Sequence, residues 1–163
     1  MLDQALQDAM NQQIRKEIHS AYLYLGMAAY CDSANLPGFA QWLKVQFKEE
    51  MEHAMKFYDF INDRGGKVVL EALDKPTVGY KSALDVFEST LAHEQKITAS
   101  INGLYELAQA KKDYPTQVFL QWFISEQVEE EKNATQIVEN LKAIGDKAGS
   151  LLYLDKHLGK RGK

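Results

Sequence analysis

The sequence predicts an all-α chain. Its helices would form a four-helix bundle, with a long crossover between the second and third and a short fifth helix at the C-terminal side. Three observations predict this. Apolar residues recur at spacings of three and four through four long stretches, the mark of helices burying one face each. No stretch alternates persistently with period two, and only 3 prolines interrupt 163 residues. The breaks between periodic stretches carry residues that start and stop helices. A chain of this length makes one domain with a full core, so residues 1–163 are expected as one unit. The bundle would span about 2–145 and the short helix about 149–158.

The first helix runs from about Leu2 to Cys31, through Leu6, Met10, Ile14, Glu17, Ala21 and Tyr24. About 30 residues at 1.5 Å each give roughly 45 Å of length. Asp32-Ser33-Ala34-Asn35 breaks the pattern, and Pro37 suits the first turn of a second helix ending at Asp63 before Arg64-Gly65-Gly66. Residues 64–81 have no helical period and are long for a loop in a compact bundle. A connector of that length can cross the bundle and set the third helix parallel to the second. Ser82 with Asp85 resembles a capping box and opens the third helix, whose stripe is Leu84, Phe87, Leu91, Glu94, Ile97, Ile101 and Leu104. A short turn ending in Pro115 makes the fourth helix its antiparallel neighbour. That stripe is Val118, Phe119, Trp122, Phe123, Gln127, Glu130, Ala134, Ile137 and Leu141. A fifth helix from about Ser150 to Leu158 is too short to stand alone and must pack on something.

The balance of 45% hydrophobic and 26% charged residues is that of a globular chain, with no sign of disorder. Net charge of −4 and a pI near 5.6 argue against nucleic acid as partner. The one basic run, Lys160-Arg161-Gly162-Lys163, reads as a frayed terminus. Ile18 to Cys31 is too short to span a bilayer and contains His19, so no membrane is implied. No basic, apolar leader opens the chain, and Cys31 has no internal partner for a disulfide. Both fit the cytoplasm, with Cys31 as a small buried hydrophobe.

Four acids break the apolar stripes. Glu50 and His53, an E-x-x-H pair, share one helical face with Leu43, Phe47, Ala54 and Phe57. Glu17, Glu94, and Gln127 with Glu130 intrude likewise on the other three helices. An unpaired carboxylate there would cost several kcal/mol, so these groups need a compensating cation. Oxygen-rich ligation with one imidazole is unlike a sulfur-rich structural zinc site and suits iron or manganese better. Four carboxylates can hold two divalent ions in rough charge balance.

Across essentially the whole chain these residues resemble the bacterial non-haem ferritins. The matching stretches are Glu17 with Tyr24, Glu49-Glu50-Met51-Glu52-His53, Glu94-Gln95, Tyr114-Pro115-Thr116, Leu120-Gln121-Trp122 and Ser125-Glu126-Gln127-Val128-Glu129-Glu130-Glu131. The resemblance implies a ferritin-like fold and a di-iron ferroxidase centre. One iron would be held by Glu17, Glu50 and His53. The other would be held by Glu50 as bridge, Glu94 and Glu130, with Gln127 holding a ligand or water. A third iron site would use Glu49, Glu126, Glu129 and Glu130. The spacing of Glu126, Glu129 and Glu130 crowds three carboxylates on one patch independently. A solvated acidic face is the plainer reading of charge runs in general, but Glu130 belongs to both faces, which puts the metal reading ahead. The resemblance further implies oxidation of Fe(II) by O2 or peroxide and deposition of Fe(III) mineral in a hollow homo-oligomeric cage of twenty-four subunits.

Tyr24, which hydrogen-bonds near the centre in this family, and Trp122 serve equally well as core filling or redox partners. His19, His93 and His157 lack partner acids on apolar stripes and read as surface or interface residues. Met51 follows Glu50 where bacterioferritins place a haem-ligating methionine. Those proteins carry Glu-x-x-His on the fourth helix, whereas this chain has Gln127-x-x-Glu130, so haem is not favoured. A rubrerythrin-like peroxide reductase is disfavoured by the missing C-x-x-C segment and the missing second histidine motif. A helical assembly protein with a vestigial site would have lost Glu50, His53 or Glu94, and none is lost.

Overall fold

A computed structural model describes residues 1–162; of the basic tail, Lys163 lies outside the described residues. Five helices and no strand occur among them: α1 (Gln4–Ser33), α2 (Pro37–Asp63), α3 (Ala83–Ala110), α4 (Tyr114–Ile144) and α5 (Ala148–Leu158). The periodicity therefore located all five, with ends displaced by no more than two residues. Asp3 caps α1 by accepting from the Ala5 and Leu6 amides, and Asp113 caps α4 by accepting from Thr116. At α3, Ser82 accepts from the Asp85 amide, while Asp85 accepts from the amide of Lys81, one residue beyond the reciprocal bond of a capping box. Gly65, at φ +71°, ends α2 in a Schellman turn: its amide donates to Asn62 and that of Gly66 to Ile61.

Cross-helix contacts fix the topology. On α1 and α3, Gln13 meets Ser100 and Tyr24 meets Glu94, so these helices are antiparallel. On α2 and α4, Gln46 meets Glu130 and Arg64 meets Asp113, again antiparallel. With α1 and α2 joined by a tight turn, α2 and α3 run parallel, as the long connector requires. That connector lies along α1. Asn11 clamps it from both sides, donating to the Lys67 carbonyl and accepting from the Val69 amide, and Arg15 Nε donates to the Ala72 carbonyl at 2.9 Å.

The core forms two apolar clusters separated by a polar layer. One gathers Tyr24, Met27, Phe39, Leu43, Phe87 and Ile137; the other gathers Met10, Ile14, Phe57, Ile97, Ile101 and Phe123. Two stripe residues of α4 do not join them, Val118 being 67% and Trp122 41% exposed. Helical spacing alone cannot separate the core face of α4 from its flank.

The short helix α5 packs on the start of α2. No side chain of α2 caps its own N-terminus; Asp155 of α5 does so instead, accepting from the Phe39 amide at 2.9 Å. A carboxylate at a helix N-terminus satisfies an orphan donor and meets the positive end of the dipole. Leu154 is buried beside it in the first apolar cluster.

Candidate metal centre

The polar layer holds Glu17 from α1, Glu50 and His53 from α2, Glu94 from α3, and Gln127 and Glu130 from α4, each no more than 5% exposed. Glu17, Glu50 and His53 each turn one ligand atom to within 4.8 Å of the others. His53 Nδ1 lies 3.3 Å from Glu50 Oε2 and 4.0 Å from Glu17 Oε2. A second group of the same kind joins His53 with Glu126 and Glu130. Glu94 belongs to neither group: the Tyr24 hydroxyl donates to one of its oxygens and Gln127 Nε2 to the other, at 3.1 Å.

Three glutamines hold these carboxylates. Gln13 Nε2 donates to Glu17 Oε1 at 2.6 Å, and Gln46 Nε2 donates to both Glu50 Oε1 at 3.0 Å and Glu130 Oε2 at 2.9 Å. Gln13 is itself oriented from outside, because its Oε1 accepts from Ser100 and Ser100 accepts from Lys16 Nζ. A neutral amide satisfies one lone pair without neutralising the charge. Among the described residues no lysine or arginine pairs with Glu17, Glu50, Glu94 or Glu130.

The electrostatics follow. Burial first, then the neighbouring Glu50 carboxylate, raises the Glu17 carboxyl well above the ordinary range. Burial and the charges of Glu94 and Glu130 do the same to Glu50. Burial raises Glu94 against the opposing hydrogen bonds of Tyr24 and Gln127, and burial with the Glu94 charge pushes Glu130 up to about 8. Tyr24 is raised well above its usual value, by burial and by Glu94. One oxygen, Glu17 Oε2, is buried with no hydrogen-bond donor among the described residues, on the side facing His53. Carboxyls without cations and one orphaned acceptor fit divalent metal ions better than any packing role.

The remaining site candidates stand apart. Glu49 is ion-paired with Arg161, and Glu129 is exposed on α4. The arginine belongs to the tail that reads as a frayed terminus in sequence. Instead it folds back: its guanidinium lies 4.2 Å from the Trp42 ring centroid, and Nη1 donates to Gln46 Oε1 at 2.9 Å. Arg161 thereby orients the amide that holds Glu50 and Glu130. Nothing in a run of Lys, Arg and Gly signals this, whereas Gln13 and Gln46 were detectable as glutamines four residues before an inward acid. Arg161→Ala is expected to cost roughly 1–2 kcal/mol, the worth of charge-assisted bonds at a partly buried site. The urea midpoint at fixed protein concentration reads it, and an unchanged midpoint would return the tail to a passive role.

Two aromatic expectations also change. Trp122 lies edge-on to His53, centroids 5.4 Å apart, with Lys56 Nζ over its ring at 4.4 Å, so it lines the site's outer wall rather than filling core. His93 is half-buried, shares a 2.7 Å hydrogen bond with Ser20 Oγ and meets the Tyr24 ring edge-on. Burial holds its imidazole down to about 4. Cys31 is fully buried in the first apolar cluster, which pushes its thiol up to about 12.

Known proteins share this architecture. A model of the ferritin-like domain matches residues 7–144. The bacterial non-heme ferritin of Staphylococcus haemolyticus is 42% identical over 99% of this chain and 97% of its own length. The protein of that name from Staphylococcus aureus is 40% identical over the same shares. Among solved structures, an open-pore ferritin from the hyperthermophilic archaeon Archaeoglobus fulgidus superposes with a TM-score of 0.98 at 47% identity, covering 99% of both chains. A humanized archaeal ferritin gives 0.99 at 46% identity, covering 100% of both. With an all-helical bundle, a buried Glu/His layer and relatives matched from end to end, this chain belongs to the ferritin-like domain family.

Proposed function

We propose that this chain is an iron-storage protein that oxidises Fe(II) at a di-iron ferroxidase centre and retains the product as Fe(III) mineral inside a homo-oligomeric cage. The observation that carries the reading is the buried Glu17–Glu50–His53 group, with its orphaned Glu17 Oε2 and, among the described residues, no lysine or arginine paired with its carboxylates. Fe(II) is the substrate. Glu17 and His53 would hold one ion, Glu94 and Glu130 the other, with Glu50 between them. Two adjacent Fe(II) ions supply two electrons to one O2 or peroxide.

The chain's own residues hold, orient and exchange protons. Gln13 and Gln46 fix the carboxylates by one oxygen each, leaving other lone pairs free to bind. Tyr24 and Gln127 hold Glu94 until it is needed. The carboxyl protons that burial retains are displaced as cations enter, so uptake releases protons. Glu126 and Glu130 would begin a third iron site, which Glu49 and Glu129 complete once Arg161 yields Glu49. Large apolar side chains exposed on α1 (Tyr22, Leu25), the connector (Leu70, Val78) and α5 (Leu152, Tyr153) support assembly with further copies of the chain. No described helix is long and apolar enough to cross a membrane. The lone thiol suits a reducing cytoplasm.

The test loads apo protein with Fe(II) anaerobically, admits O2 and follows ferric absorbance against a Glu50→Ala/His53→Ala variant, with native size read on the same samples. Oxidation should slow by roughly 100-fold or more, since ligands matter at least as much as their supporting shell. Iron should co-elute with a large particle in the wild type. Equal rates in the variant would overturn the site. Fast oxidation in a small oligomer that retains no iron would assign the peroxide-reductase class instead.

A further inference from the structure

On the face of the bundle away from α2, a cavity of about 390 Å³ opens between α1, α3 and the connector. Its walls carry Arg15, Lys16 and His19 from α1 and His93, Lys96 and Ser100 from α3. The one acid lining it is Asp74 of the connector, already paired with Arg15 at 3.2 Å, so those two charges cancel. Lys16 donates to the Ser100 hydroxyl at 2.7 Å, and among the described residues neither Lys16 nor Lys96 has a carboxylate partner. Two positive charges therefore face the cavity without neutralisation, on a chain whose net charge is −4. The His19 imidazole stands beside them as a further donor, while the Ser100 hydroxyl hydrogen is given to Gln13 and His93 Nε2 is engaged with Ser20.

A concave, donor-lined, doubly positive cavity repels Fe(II) and selects a dianion with several acceptor oxygens. We infer that the cavity between α1, α3 and the connector binds a phosphate group, as the free ion or a phosphomonoester. Lys16 and Lys96 neutralise its two charges. Arg15, anchored to the Ala72 carbonyl, lends a preset guanidinium edge, and His19 completes the oxygen contacts. The site stands independently of the iron reading, because none of these residues is a candidate iron ligand. Lys96 is the cleaner probe of the two lysines, since Lys16 also orients Ser100 and, through it, Gln13.

Equilibrium dialysis of the assembled, iron-free protein against radiolabelled orthophosphate at low ionic strength tests this. Saturable binding at one phosphate per chain is expected. Lys96→Gln should weaken it roughly tenfold or more, as loss of a charge-assisted contact does, while Lys96→Arg restores most of it. Lys142→Gln, which removes an exposed lysine elsewhere, should leave it unchanged. Glycerol 3-phosphate competing as well as orthophosphate would place a phosphomonoester in the cavity; failure to compete would restrict it to the free ion. No saturable binding, or binding that Lys96→Gln and Lys16→Gln both leave intact, overturns the inference.

Discussion

Gly38→Ala should unseat α5. A Cβ on Gly38 would sit 1.7 Å from the Asp155 carbonyl oxygen and 2.4 Å from its carbon, so the overlap is with backbone and no rotamer relieves it. Either α5 moves off or the first turn of α2 unwinds, and both break the bond from the Phe39 amide to Asp155. The penalty is bounded by undocking α5: a lost cap of about 1 kcal/mol plus re-exposure of Leu154 and its partly buried neighbours. Together this is roughly 3–5 kcal/mol. A lower urea midpoint and new protease cleavage between α4 and α5 are the expected readouts. Gly103→Ala is the control of opposite sign. That glycine lies exposed within α3, and a Cβ added there would meet nothing within 4 Å, so alanine should stabilise by about 0.5–1 kcal/mol. Unchanged stability and protease resistance in Gly38→Ala would mean that α5 contributes nothing at this contact.

Metal should raise the melting temperature, and more at pH 8 than at pH 5.5. In the unfolded chain the four inward glutamates titrate near 4.5; in the folded apo chain all are raised, Glu130 to about 8. Between those limits these four groups bind more protons in the folded state than in the unfolded one, so their contribution to apo stability falls as pH rises from about 4.5 to about 8. His93, held down to about 4 from an ordinary 6.5, has the opposite sign and overlaps the window up to about pH 6.5. The carboxylate effect therefore stands alone from about pH 6.5 to 8. Asp113 also has the opposite sign, in a lower window. The Arg64 pair holds it well below its usual 3.8, and the stability it brings is lost only as pH falls below that value. A divalent ion binds the deprotonated carboxylates and removes the repulsion that destabilises them. At a thousandfold excess over its dissociation constant it adds about 4 kcal/mol. Thermal melts of apo and Co(II)-loaded protein at both pH values, with apo protein also at about pH 6.5, check this. Coincident apo and loaded curves would sink the metal assignment, and an apo melting temperature that rises from about pH 6.5 to about pH 8 would contradict the protonated layer.

Much of this molecule is legible in one dimension because a helix repeats every 3.6 residues. Phe47, Glu50, Ala54 and Phe57 lie on one face whatever the rest of the chain does, so an inward acid shows itself as a break in its own stripe. The same holds for Glu17 between Ile14 and Ala21 and for Glu94 between Leu91 and Ile97. The layer of six polar groups, the five helices and the crossover were therefore readable from spacing. The resolution of that reading is the width of a stripe. Trp122 and Phe123 are neighbours in sequence, yet one flanks the site at the surface and the other lies in the core, a distinction that only the position of α2 makes.

What the sequence determined by itself is local: where helices start and stop, which face each buries, and which acids interrupt that face. Only the tertiary structure decided the pairings between distant segments. Arg161 reaches Gln46 across 115 residues, Asp155 caps Phe39 across 116, and Tyr24 holds Glu94 across 70. The two lysines of the basic cavity come from α1 and α3 and meet only because the connector sets those helices antiparallel. Such contacts have no period for the sequence to display. They arise when helices pack and buried polar groups must find partners within reach, and it is that requirement, met across helices, that holds the carboxylates of the centre in place.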